Sequence, residues 1–325
     1  MSIRHGLTMR VSGEEGFTLV EIMLVVTILI VLFALMANPT TNLLKFLREL
    51  ETKRKLDALQ RGIETVYKAH AWEVDSSGEA QFSFTISGTG YVLSSGSASD
   101  TGNLTALGAV ASLSNLASSE IERDSMRQAL RVWVSNRLQD ASTGVSYHVI
   151  AFVSPGWNGE LDSSFDAATG VLSVRGDDAG FLVSGLQQGI AFLEETRKML
   201  ASVRDAYQNY FTSLYLADSN RSVYVDRFAN TGSDCAASGS WDGSSGVGNS
   251  SCTASATVTD TGLKAALGLS AENVTTPWGR ELLVDNGSAV TRNPETVGNE
   301  TPYTAFLSAE LPWGGSVVVT VTGIY

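Results

Sequence analysis

The sequence predicts an α+β protein in which a long N-terminal helix leads into a head built on antiparallel sheet. Residues 17–37 are apolar apart from Glu21, and an amphipathic helical pattern follows them directly. Short alternating segments between Gly, Ser and Asn residues then indicate strands and turns. Only 17% of the 325 residues are charged and 31 are glycine. This composition is more typical of a secreted, loop-rich head than of a helical cytosolic enzyme.

The charge of the chain is unevenly distributed along its length. The net charge is −12, and residues 1–70 contain nine Lys and Arg against seven Asp and Glu. Residues 71–325 are therefore strongly acidic. Because nucleic-acid binding depends on Lys and Arg that neutralise phosphates, we expect no nucleic-acid partner for the head.

The apolar run begins directly after a polar segment that ends in Gly16. At 1.5 Å per residue, a helix over residues 17–38 spans roughly 30 Å, the thickness of the hydrocarbon core of a bilayer. A secretory signal would be shorter and would be followed by a small-residue cleavage site. The sequence therefore predicts a transmembrane helix over 17–38.

Residues Gly16-Phe17-Thr18-Leu19-Val20-Glu21, at the head of an unbroken apolar helix, resemble the processing site of type IV pilins and type II secretion pseudopilins. The resemblance implies that residues 1–16 are a leader peptide. A prepilin peptidase would cut between Gly16 and Phe17 and methylate the new amino terminus at Phe17. The resemblance also implies an inner-membrane precursor that later joins an extracytoplasmic filament, a pilus or a pseudopilus. The partners would be other pilin subunits, contacted through the N-terminal helix.

Glu21 is the one charged residue in the apolar run. A carboxylate in hydrocarbon is costly and usually marks a functional site. In the family this glutamate meets the amine of a neighbouring subunit, which here would be Phe17, and sets the register of the filament. The alternative is a signal anchor that tolerates Glu21. A count of basic residues would place the C-terminal side in the cytoplasm, whereas the resemblance implies the opposite orientation.

An amphipathic helix is predicted over residues 39–75, after an interruption at Asn38-Pro39. Turn residues from Asp75 to Gly78 are expected to end it. We expect a first head lobe over 76–183, with a loop over 94–118 and a second amphipathic helix over 120–138. The expected strands of this lobe lie at 81–93, 146–153, 171–174 and 181–183.

A second lobe is predicted over 184–325, beginning with a helix at 186–216. Residues 197–210 of this helix resemble residues 54–67 at an offset of 143, which indicates either a duplication or two unrelated amphipathic helices. Two Trp-Gly turns, at 276–280 and 311–315, precede expected strands. These turns resemble those in the heads of pseudopilins and type IVb pilins, so the second lobe would be pilin-like.

Cys235 and Cys252 lie in a stretch rich in Gly, Ser and Asn. A disulfide between them would close a loop of roughly 17 residues and stabilise the fold by about 3 kcal/mol in the chain-entropy model. It would also indicate an oxidising compartment. The alternative is a pair of free thiols.

No cofactor is predicted, and the sequence contains no catalytic motif that would indicate an enzyme. Asp177 and Asp178 lie in an acidic loop and are weak candidates for calcium, because some pseudopilins bind calcium in a head loop. No EF-hand spacing accompanies them. The expected function is that of a structural filament subunit, more specifically a minor or specialised pilin. The alternative is an adhesin or binding module displayed on the filament.

Overall fold

A computed structural model of the chain describes residues 19–114, 117, 121–221, 223, 228, 256–258, 263–285 and 304–325. Only the backbone is described for residues 33–41, 256–257, 285 and 304. The chain divides into one unit that ends at Glu51 and a second, compact unit from Thr52 to Tyr325.

The helices range from a single turn to many turns. They are α1 (Leu19–Ala69), α2 (Ala71–Ser76), α3 (Thr101–Ser114), α4 (Leu186–Ala217), α5 (Leu263–Ala266) and a 3₁₀ turn at Ala271–Asn273. Helices α1 and α4 carry apolar residues at steps of three and four, which is the pattern that buries one helix face.

All described strand pairs are antiparallel, and they form two four-stranded sheets and three hairpins. The first sheet has the order β10-β7-β4-β3 and the second the order β11-β12-β13-β14. The first nine strands are β1 (Gln81–Ile86), β2 (Thr89–Ser94), β3 (Gly96–Ser97), β4 (Arg131–Val134), β5 (Leu138–Gln139), β6 (Ser146–Tyr147), β7 (Val149–Ser154), β8 (Ser164–Asp166) and β9 (Val171–Ser173). The others are β10 (Ala179–Ser184), β11 (Ala256–Thr257), β12 (Leu283–Asp285), β13 (Thr304–Glu310) and β14 (Ser316–Thr322).

The predicted combination of helix and antiparallel sheet is confirmed. The expected strands near 81–93, 146–153, 171–174 and 181–183 are present, and so is the helix predicted over 186–216. Between residues 94 and 138, however, two predictions are wrong. The expected loop contains α3, and the expected helix over 120–138 contains strand β4.

The reason for the second error is visible in the burial of β4. Val132 and Val134 are buried while Arg131 is exposed and Trp133 is half-buried, which is the two-residue period of a strand. The apolar residues that indicated a helix there are Ile121, Leu130, Val134 and Leu138. The last three are spaced by four residues, which fits one face of a helix but also one face of a strand, because four is a multiple of two. In α3, small residues such as Ala106 and Ala111 allow close packing, but their Ser and Gly neighbours obscure the pattern.

Two hydrophobic clusters form the core of the compact unit. The first combines the C-terminal part of α1 with α3, β1, β2, β4 and β7, and it includes Leu193 from α4 and Trp278. The second combines the C-terminal part of α4 with strands β12–β14 and includes Phe228. Each long helix therefore contributes its buried face to a cluster that also contains antiparallel strands.

The buried faces of α1 and α4 match at an offset of 144 residues, one more than the sequence resemblance indicates. At 143, buried Leu56 and Tyr67 correspond to half-buried Met199 and Tyr210. At 144, five pairs of positions are buried in both helices: Thr52, Leu56, Leu59, Ile63 and Tyr67 correspond to Thr196, Leu200, Val203, Tyr207 and Phe211. The offset of 143 is therefore set largely by exposed Arg and Lys residues, whereas packing follows 144.

Both Trp-Gly turns precede strands, as predicted. In the first, Gly279 N donates to Thr276 O (2.8 Å) and has a φ of 76°, a value that favours glycine. The second joins β13 to β14. The indole rings of Trp278 and Trp313 meet edge to face at 5.7 Å between their centroids. The two turns therefore pack against each other.

Candidate functional site

The N-terminal part of α1 exposes its apolar side chains. Among the described residues from Leu19 to Leu32, the exposed fraction of each large hydrophobic residue lies between 47% and 74%. A contiguous apolar surface of this kind marks a contact with another protein or with a membrane. In the part of the chain that the structure describes, no helix is both long enough and apolar enough to cross a membrane.

The processing motif lies at the border of the described part of the chain. Glu21 is in the first turn of α1. Gly16 and Phe17 lie outside the described residues, and so does part of the predicted transmembrane segment 17–38.

The exposure of α1 changes abruptly near residue 51. Leu43, Leu44, Phe46, Leu47 and Leu50 all remain about half exposed or more. From Thr52 onwards, the apolar face is buried in the first hydrophobic cluster. At this point, Thr52 Oγ1 and Ser125 Oγ are hydrogen-bonded at 2.7 Å, so the loop before β4 contacts α1 where its burial begins.

At its C-terminal end, α1 meets the head through the side chain of Tyr67. The Tyr67 hydroxyl donates to Asp75 Oδ1 of α2 at 2.6 Å and accepts a hydrogen bond from the backbone N–H of His148 at 3.1 Å. All three residues are buried. We call this group, together with Arg137 and Gly185, the helix–head junction.

Arg137 and Gly185 complete the helix–head junction from two other elements. The Arg137 guanidinium donates to the carbonyl oxygens of Ser76 (3.1 Å) and Ser77 (2.6 Å), which satisfies acceptors at the end of α2. Gly185 lies just before α4, and a Cβ atom there would collide with the Tyr67 hydroxyl oxygen. Glycine is therefore required for Tyr67 to reach its partners.

Burial raises the pKa of Asp75 from 3.8 to about 7. The hydrogen bond from Tyr67, the positive charge of Arg137 and the indole of Trp278 all act in the opposite direction, but they do not outweigh desolvation. The indole nitrogen of Trp278 is itself buried, and no described residue lies within hydrogen-bonding geometry of it. The junction therefore contains a carboxyl group that titrates near neutral pH.

Burial and the charge of Arg137 lower the pKa of His148 from 6.5 to about 4, and the Gly78 backbone acts weakly in the opposite direction. Neither ring nitrogen has a partner with good hydrogen-bond geometry among the described residues. His148 is therefore a neutral packing residue at physiological pH.

A shallow pocket of about 280 Å³ lies beside the helix–head junction. Its lining residues come from the end of α1, from α2 and from the first Trp-Gly turn: Ala69, His70, Ala71, Trp72, Glu73 and 277–280. The guanidinium of Arg280 stacks over the Trp72 ring at 4.4 Å. His70 Nδ1 lies 3.9 Å from Glu73 Oε2. These groups do not form an arrangement of nucleophile, base and oxyanion donor.

The acidic loop uses its carboxylates to hold its own backbone. Asp177 Oδ2 accepts hydrogen bonds from the backbone N–H groups of Trp157 and Asn158, and Asp178 Oδ2 accepts from those of Asp162 and Ser163. Within the described residues, no group of three or more His, Cys, Asp or Glu side chains could bind a metal ion. The geometry therefore assigns these two aspartates a local structural role.

Cys235 and Cys252 lie outside the described residues. The sequence did not indicate the roles of Asp75 and Gly185. Asp75 was expected in a turn that ends the helix, but it is buried within α2. Its Asp-Ser-Ser-Gly context is typical of a turn, so no local signal distinguishes it. The role of Gly185 also depends on Tyr67, which is 118 positions earlier in the chain.

Comparison of the chain with protein-family models, with curated proteins and with solved structures finds no match. The functional argument therefore depends on the motif around Gly16, on the exposed part of α1 and on the contacts of the head.

Proposed function

We propose that this chain is a subunit of a type IV pilus or pseudopilus, processed between Gly16 and Phe17 and assembled through the N-terminal part of α1. The observation that carries the proposal is the exposed apolar surface of α1 directly after the motif from Gly16 to Glu21. A bilayer would cover this surface before assembly, and the helices of neighbouring subunits would cover it afterwards. Van der Waals packing would then drive helix association.

In the proposed filament, the two parts of α1 have different functions. The part up to Leu50 would contact the membrane and then other subunits. The part from Thr52 onwards anchors the helix to the head through buried contacts. In the filament, the Glu21 carboxylate would pair with the amine of Phe17 on a neighbouring subunit, because an ion pair lowers the cost of placing a charge in an apolar environment.

The size of the head favours a minor or specialised subunit over a major one. The compact unit extends from Thr52 to Tyr325 and contains two four-stranded sheets. A head of this size would crowd a helical lattice unless it projected outwards.

The proposed location of the subunit is the inner membrane before assembly and an extracytoplasmic filament afterwards.

One observation favours the second candidate function, a binding module displayed on the filament. The loop held by Asp177 and Asp178 presents Trp157 and Leu161, each 41% exposed. Ordered loops with exposed aromatic side chains are common at binding sites. This candidate adds to the structural role of the chain, since a displayed module would still be anchored through α1.

The experiment that tests the proposed function is co-expression of the full chain with a prepilin peptidase, followed by intact-mass measurement and N-terminal sequencing. We expect a mature chain that begins at methylated Phe17, and we expect the Gly16→Ala variant to remain at full length. Glu21→Ala is the matched control, because it leaves the cleavage site intact and should be processed without assembling. A wild-type chain that keeps its first 16 residues would contradict the proposal.

A further inference from the structure

We propose that the helix–head junction is a proton-controlled latch, in which the neutral Asp75 carboxyl group holds α2 against the head and its ionisation releases α2. The proposal deepens the proposed function, on which its biological meaning rests, because α2 directly follows the assembly helix. The latch itself is a property of the head and can be tested without any filament.

The first argument is the position of the carboxyl group. Asp75 is 1% exposed and lies in a helix of six residues between α1 and β1. Its Oδ1 atom accepts the hydrogen bond from Tyr67, whose hydroxyl also binds the His148 backbone. Asp75 therefore connects α2 to both α1 and the segment that enters β7.

The second argument is the absence of a basic partner in contact with Asp75 among the described residues. The nearby cation is Arg137, but its hydrogen bonds go to the Ser76 and Ser77 carbonyls, not to Asp75. A buried carboxylate without a directly bonded cation is costly, because its attraction to a distant charge does not offset desolvation. The neutral form is therefore favoured while α2 is packed against the head.

The third argument is that the two other titratable side chains with shifted pKa values in the junction, Tyr67 and His148, keep their protonation state near neutral pH. Tyr67 has a pKa raised well above 10, so it stays protonated, and Tyr147 acts on it weakly. Arg137 is the nearby cation, and His148 stays neutral down to about pH 4. Glu73 and His70 line the pocket together with Arg280.

The direction of the effect follows from proton linkage. With α2 packed, Asp75 binds its proton up to about pH 7; with α2 released into water, it binds its proton only up to about pH 4. Release therefore expels a proton between these values, and the equilibrium constant for release should rise about tenfold per pH unit. The latch is tight in mildly acidic conditions and loosens as the pH approaches neutrality.

Hydrogen exchange of the full chain in detergent micelles tests the latch directly. The amides of Val74 and Ser77 report on α2, because they donate to the carbonyls of His70 and Val74. After correction for intrinsic exchange rates, their protection should fall about tenfold per unit between pH 5 and 6.5. Asp75→Asn should abolish this dependence, whereas Glu73→Gln, a change in the same helix, should preserve it.

Two results would overturn the proposal: wild-type protection that does not change with pH, or an Asp75→Asn variant that keeps the wild-type slope. If Asp75→Asn does not fold, Tyr67→Phe is the second variant. This substitution removes a hydrogen bond that lowers the pKa of Asp75. The pH above which amide protection stops falling should therefore be higher than in the wild type. An unchanged end point would also refute the latch. None of these readouts depends on processing or assembly, so failure of the latch and failure of the filament proposal are distinguishable.

Discussion

The two parts of α1 belong to one helix but differ in how their apolar residues are covered. Large apolar side chains are exposed at residues 19–32 and 43–50, and from Thr52 to Tyr67 the apolar face is buried in the first cluster. The change coincides with the division of the chain into its two units. Helical periodicity alone therefore does not say whether an apolar face packs within its own chain or against something else.

The difference also separates stability from assembly. Side chains after Thr52 contribute to folding of the head, since their burial removes apolar surface from water within one molecule. Side chains before Leu50 gain little from folding, so their apolar character needs another explanation. The proposed function attributes it to the membrane and to neighbouring subunits. Three sets of substitutions test the packing of the head and of the exposed part of α1.

The largest effect is expected from truncation of a buried residue of α1. Ile63 is fully buried, so Ile63→Ala should lower the free energy of unfolding of the head by about 2–5 kcal/mol. Leu47→Ala removes a similar apolar side chain from the exposed part and should change this free energy by less than about 0.5 kcal/mol. Urea unfolding followed by tryptophan fluorescence measures both. Equal losses would mean that the exposed part of α1 is packed within the monomer.

A smaller effect is expected at Gly185. The Cβ atom of Gly185→Ala would collide with the Tyr67 hydroxyl, so we expect a loss of about 1–3 kcal/mol in the free energy of unfolding. Gly108→Ala is the matched control. It lies inside α3, and its new Cβ would meet no atom within 4 Å, so it should be neutral or stabilising by up to about 1 kcal/mol. A tolerated Gly185→Ala would show that Tyr67 can move without loss.

The smallest effect is expected in the amount by which the free energy of unfolding of the head changes per pH unit. The raised pKa of Asp75 makes the native state bind the extra proton between about pH 4 and 7, so this group lowers stability as the pH rises. The lowered pKa of His148 has the opposite effect between about pH 4 and 6.5. The two contributions largely cancel in the wild type. Asp75→Asn should therefore make stability rise with pH, and His148→Gln should make it fall.

Each of these slopes should reach up to about 1.4 kcal/mol per pH unit. Urea midpoints at pH 4.5, 5.5 and 6.5 provide the measurement, with Glu73→Gln as a control that should follow the wild type. If the stability of Asp75→Asn and the stability of His148→Gln changed in the same direction with pH, the assignment of opposite roles to Asp75 and His148 would be wrong.

Prediction from the sequence succeeded where a periodic apolar pattern extends over many residues or where the turn residues are specific. Helix α4 and the strands of the first head lobe were predicted near their observed positions, and the Trp-Gly turns precede strands as expected. It failed between residues 94 and 138. There, small and polar residues hide the helical face of α3, and short apolar segments near β4 fit a helix as easily as a strand.

The amino-acid sequence by itself determined the α+β class of the fold, the apolar character of residues 17–37 and the motif around Gly16, because these depend on neighbouring residues and on composition. Only the tertiary structure decided which part of α1 is buried, that α1 and α4 match at 144 rather than 143, and that Asp75 is an interior acid. Burial and hydrogen bonding depend on residues distant in the chain. Tyr67 meets Gly185 and His148 only after the head has folded.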